Sequence, residues 1–236
     1  MELLLGKGSL TEQHSTTSTT LLHLAAEGGY LGLVELLLGS TPLQDRTGVI
    51  ELLFSNGASI DARDRTNDTP LHFAAWKGHI GIVDLLLSKG ASIEARGLYS
   101  KTPLHLAAEG GHTETIKLLL KRGALIEAKL VSGRTPLHFA ASLRRTKAVR
   151  LLLEKGAPIN TRDIHNQTPL HDAVAQGHID IVKLLLEKGA SIRVKDTFIE
   201  TPLDMAERLR KTEIIRLHKK TKVPSSWKMH THHHRA

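Results

Sequence analysis

The sequence predicts an all-α solenoid of stacked helix-turn-helix units. Three observations carry this. The tripeptide Thr-Pro-Leu recurs at Thr69, Thr102, Thr135, Thr168 and Thr201, each 33 residues from the last, and a constant period of this size marks a repeat array. Each period holds two apolar-periodic stretches of about two helical turns, too short to persist alone, so stability must come from stacking. Aromatic residues make up only 3% of the chain. A core of Leu, Ile, Val and Ala suits many thin layers better than one thick centre.

Within a period each letter has a physical task. In "TPLHFAAWKGHIGIVDLLLSKGASIEAR", Thr69 is a helix N-cap and Pro70 takes the first helical position, where its missing N–H costs nothing. Leu71, Ala74 and Ala75 form the packed side, alanine allowing close helix approach. Gly78 ends the first helix. Ile82, Val83, Leu85 and Leu86 give the second its apolar stripe, Gly90 ends it, and an extended loop leads to the next threonine. The units run 67–99, 100–132, 133–165 and 166–198.

The ends depart from the pattern. Residues 1–16, "MELLLGKGSLTEQHST", align with the second half of a unit, so the chain begins as a truncated half repeat. Thr20 and Thr69 are 49 residues apart. Residues 17–66 therefore read as two eroded copies, with helices near 21–27, 31–38 and 47–55. Residues 199–217 read as a C-terminal cap, because Asp204 replaces the histidine and Arg210 the glycine. Residues 218–236 form a basic, His-rich tail read as disordered.

These motifs resemble the ankyrin-repeat family, over roughly residues 17–217. The resemblance implies helix pairs with projecting β-hairpin loops, a curved stack, and a non-catalytic protein–protein interaction scaffold. It implies that His72, His105, His138 and His171 tie each repeat to its loop. It also implies that Asn160, the one asparagine in its column beside Asp61, Glu94, Glu127 and Arg193, is a hydroxylation target.

Composition and motifs narrow the chemistry. With no cysteine, disulfides, zinc-thiolate sites and thiol catalysis are excluded. No phosphate-binding, nucleophile-elbow, zinc or calcium motif is present, so no enzyme activity, cofactor or metal is expected. The histidine ladder cannot converge on an ion: equivalent residues lie one packing layer, ~8–10 Å, apart. Asn67 and Asn166 sit in glycosylation-like triplets but read as left-handed turn residues. No apolar run approaches a membrane span, and the first residues lack a basic n-region. The expected location is cytoplasmic or nuclear, with Lys219, Lys220 and Lys222 as a weak import signal. The net charge of +8 sits mainly at the C-terminal end, with nine Lys/Arg against two Glu from Met205 onward. Nucleic-acid binding through that end is the lesser reading, and a truncated array without a partner is a further one.

Register assigns the partner-facing positions: the two tip residues of each loop, the residue before each threonine, and the two after each Ala-Ala. The candidate contacts are Trp76, Lys77, Leu98, Tyr99, Lys101, Val131, Arg134, Leu143, Ile164, His165 and Phe198. Loop tips are normally polar, and Trp, Tyr and Arg dominate binding hot spots. The expectation is a monomer holding an apolar protein segment with acidic flanks, read by Lys77, Lys101 and Arg134.

Overall fold

A computed structural model describes residues 21–29 and 59–220. Among them are eleven α-helices and no strand. Helix α1 is Leu21–Gly28. Five pairs follow: α2 Pro70–Lys77 with α3 Ile80–Ser88, α4 Pro103–Gly110 with α5 Thr113–Lys121, and α6 Pro136–Ser142 with α7 Thr146–Glu154. The last two are α8 Pro169–Gln176 with α9 Ile179–Glu187, and α10 Pro202–Arg208 with α11 Thr212–Lys220. Helices α1, α2, α4, α6, α8 and α10 pack in succession as an inner row; α3, α5, α7, α9 and α11 form the outer row.

The inner helices start and stop as their letters require. Thr69 is extended (φ −100°, ψ 165°), Pro70 follows, and Gly78 closes the helix at φ 77°. The Gly78 and His79 amides return to Ala75 and Ala74, capping carbonyls the helix leaves open. Leu71, Ala74, Ala75, Ile82, Val83 and Leu86 are all buried, and their equivalents continue one core cluster through every unit.

The histidine ladder has a defined chemical state. His72 Nδ1 accepts from the Thr69 amide (3.0 Å) and lies 2.9 Å from Thr69 Oγ1. An amide only donates, so Nδ1 carries no proton, and Nε2–H donates to the Lys101 carbonyl (3.1 Å). His105, His138 and His171 repeat this with the carbonyls of Arg134, Gln167 and Glu200. Burial lowers the pKa of all four, His105 to about 3 and His138 to about 4. In the cap, Asp204 accepts from the Thr201 amide and hydroxyl (2.9 and 2.7 Å). It keeps the capping half of the histidine's work and drops the half that holds a following loop.

A second ladder runs behind the first. His79, His112 and His178 donate from Nε2, and Arg145 from Nε, to the carbonyls of Glu27, Trp76, Ser142 and Glu109 one repeat earlier. Both ladders extend to α1: His23 Nε2 donates to the Asp68 carbonyl (2.9 Å), and α1 packs directly on α2. Helices α1 and α2 are thus neighbours in the inner row, and most of the two eroded copies read over residues 17–66 lies outside the described residues. The helices expected near 31–38 and 47–55, the half repeat at 1–16 and residues 221–236 lie outside the described residues.

Each loop is a five-residue turn closed by two backbone bonds, Asp64 N–H to Asp68 O and Asn67 N–H to Asp64 O in the first, Asp196 N–H to Glu200 O and Ile199 N–H to Asp196 O in the last. The slot two before each threonine is left-handed: Asn67, Ser100, Gly133, Asn166 and Ile199 all have φ between 55° and 74°. This is the geometry expected of Asn67 and Asn166.

Candidate functional site

The loop tips form a continuous ridge. Ile164 N–H donates to the Ser132 carbonyl and Thr197 N–H to the His165 carbonyl, both at 3.0 Å, while Leu98 N–H reaches Asp68 Oδ1 (3.2 Å). Beneath the tips, Arg63 Nη1 donates to the Arg96 carbonyl and Arg96 Nη1 to that of Lys129. Successive loops are therefore cross-linked, the later ones by backbone bonds and the earlier ones through the Asp68, Arg63 and Arg96 side chains.

Apolar side chains stand out along this ridge. Tyr99 is 73% exposed, Val131 81% and Phe198 75%, with Leu98 and Ile164 also exposed. His165 is exposed beside Ile164. Ile199, which register alone did not select, is 70% exposed next to Phe198. Its signal was present in the sequence: Asn, Ser and Gly fill the same slot elsewhere, and a β-branched residue at positive φ is strained.

Trp76 and Leu143 lie apart from the tips, at the C-terminal ends of α2 and α6, and both are exposed. Lys77 Nζ stands 4.3 Å from the Trp76 ring centroid and 3.5 Å from Glu27 Oε1. The ring thus presents surface while its helix end is held by His112.

Each of the three candidate cations has a carboxylate of the same chain beside it. Lys101 Nζ is 2.6 Å from Glu109 Oε2, and Arg134 Nη2 is 2.8 Å from Asp172 Oδ2. Both Lys101 Nζ and Arg134 Cζ lie 4.9 Å from the Phe139 ring centroid. Lys77, Lys101 and Arg134 are thus not free basic edges. Lys101 and Arg134 sit half-buried over an aromatic ring. The i,i+8 pairing recurs with its signs reversed at Glu200 and Arg208 (2.7 Å).

Asp172 carries an unusual load. Its neighbours in the column are Phe73, Leu106 and Phe139. Burial pushes its pKa up to about 6, outweighing the opposing pull of Arg134. Asn160 is exposed, and its Oδ1 accepts from the Ser191 amide (2.8 Å), as Asp61 and Glu94 accept from Ser92 and Leu125.

Among the described residues no helix is long and apolar enough to cross a membrane. A family model described as ankyrin repeats, three copies, matches the chain in overlapping stretches at residues 1–97, 43–129, 96–163, 124–196 and 163–218. A comparison with curated proteins finds no match.

Proposed function

The chain belongs to the ankyrin-repeat family, whose members generally mediate protein–protein interaction and are generally non-catalytic, and from that premise we propose that it is a scaffold holding one protein partner along its loop ridge and concave inner-helix face. The observation that supports this is the run of exposed apolar tips, Leu98, Tyr99, Val131, Ile164 and Phe198, on loops already satisfied by their own backbone bonds. Rings and aliphatic chains at such positions do nothing for the fold and are suited to being covered.

In this proposal the partner supplies an apolar segment with acidic flanks, Trp76 and Leu143 anchor its concave side, and the complex forms in cytoplasm or nucleus. Asn160 is an exposed loop residue open to hydroxylation; intact-mass measurement on protein from native cells finds the added oxygen there or dismisses it. The scaffold itself is tested with Trp76→Ala plus Tyr99→Ala. Both rings are exposed, so the melting curve should be nearly unchanged while affinity capture of the wild-type partner drops at least roughly tenfold, the scale of losing one hot-spot side chain. Unchanged capture together with a collapsed fold would make these rings structural and end the proposal.

A further inference from the structure

We propose that the Arg134 guanidinium is a carboxylate-binding site on the concave face, taking an aspartate or glutamate side chain from an extended, otherwise apolar partner segment, with Asp172 holding its place in the free protein. This rests on the reading of that face as partner-binding and names the group that reads the partner's charge.

The argument begins with donor accounting. A guanidinium offers five N–H donors in a planar fork that fits a carboxylate bidentately. In this fold Asp172 engages Arg134 through Nη2 alone. Nε is buried without a partner. Nη1 makes no hydrogen bond to the described residues. Among the described residues one of the three guanidinium nitrogens is therefore engaged, on a side chain that keeps 28% of its surface exposed.

The guanidinium is also preorganised. It is held over Phe139 at 4.9 Å, so little rotamer freedom remains to be lost when a ligand arrives. The other two cations differ. Lys101 is a point charge closed onto Glu109 within its own repeat, and Lys77 is closed onto Glu27. Of the three, Arg134 reaches forward to the next repeat for its counter-ion, a separation of 38 residues.

Asp172 is a poor permanent occupant. It is mostly withdrawn from solvent, where its ionised form is disfavoured, and its carboxyl pKa is pushed up to about 6. A partner carboxylate, brought in with its own apolar flanks, meets weaker competition than a well-solvated ion pair would offer. Those flanks have surface to meet: Leu143 is exposed at the end of α6, which carries Phe139, and Val131 is exposed on the tip of the loop that carries Arg134.

The test uses the full chain labelled with ¹⁵N-arginine, and two probes, Ac-Leu-Glu-Leu-NH2 and Ac-Leu-Gln-Leu-NH2. Arg134→Lys identifies the Arg134 Nε–Hε cross-peak by its disappearance. The glutamate peptide should shift that peak saturably and the glutamine peptide should leave it in place. Asp172→Asn should tighten the glutamate peptide roughly tenfold, the scale of one charge-assisted hydrogen bond. An equal response to both peptides, no response, or an Asp172→Asn protein that binds no tighter overturns the site. If Asp172→Asn does not fold, the wild-type comparison of the two peptides decides alone. A silent Arg134 alongside partner capture that depends on Trp76 and Tyr99 would sink this site and leave the scaffold reading intact.

Discussion

At the scale of single residues, the most informative position is one where sequence and backbone disagree. Ile199 has φ 63° in a slot that Asn67, Gly133 and Asn166 fill elsewhere. For a non-glycine residue this conformation costs roughly 1–2 kcal/mol, and asparagine tolerates it better. Ile199 is also 70% exposed, so little packing is lost on replacement. Ile199→Asn should therefore raise stability by about 1 kcal/mol, read as a higher urea midpoint at unchanged m-value. A lower midpoint would mean that the isoleucine is packed and unstrained. The same reasoning covers Arg144 (φ 58°) and Arg210 (φ 52°), which stand where Gly78, Gly111 and Gly177 close other inner helices. Such positions were legible in advance, because a column of Asn and Gly states its φ requirement. The counter-ions were not. Glu109 lies 8 residues beyond Lys101 and Asp172 lies 38 beyond Arg134. Only the distance between stacked layers says which carboxylate meets which cation.

At the scale of elements, the helix pairs were readable because capping, period and glycine placement all agree within each 33-residue unit. The join between α1 and α2 was not. Sequence spacing counts residues, whereas the stack counts layers, and the His23–Asp68 and His79–Glu27 bonds make α1 and α2 consecutive. The other weak join is between the last full unit and the cap. A cavity of about 30 Å³ lies there, lined by Leu170, Val174, Val182, Leu186, Leu203 and Ile214 among others. It is partly open, and its apolar lining is short of packing contacts on that side. Val182→Ile adds one methyl group beside it and should recover about half a kcal/mol, visible as slower amide exchange in α10 and α11. Faster exchange would show that the extra methyl clashes with its neighbours instead of filling space.

At the scale of the whole molecule, the first histidine ladder makes the stack acid-sensitive. Each Nδ1 of the first ladder is committed as an acceptor, so a proton added there breaks the cap it makes. A base whose folded pKa lies below its unfolded value of about 6.5 leaves the unfolded chain holding more protons in between. Stability is then fully present above pH ~6.5 and falls as pH drops toward the folded values. For His105 and His138 those values are about 3 and about 4, with His23, His72 and His171 lowered in the same direction. Between pH 7.5 and 5 each of the first two should withdraw about 2 kcal/mol. Asp172 works against them: its folded pKa is raised to about 6, so below pH 6 the folded chain takes up a proton that the unfolded chain does not. Over the window from pH 7.5 to 5 this returns about 1.4 kcal/mol. The pKa values of Asp180 and Asp196 are lowered, and their effect falls in more acidic solution, outside this window. The histidines outnumber the aspartate and occupy every inner helix from α1 to α8, so the loss is spread over successive interfaces that can only stabilise one another. The urea midpoint should therefore drop between pH 7.5 and 5.0 by an amount equivalent to at least about 2 kcal/mol. Asp172→Asn should deepen that drop by removing the offset. A midpoint that holds or rises at pH 5.0 would mean that the ladder histidines are not held neutral, and the tautomer assigned from the Thr–His bonds would fall with it.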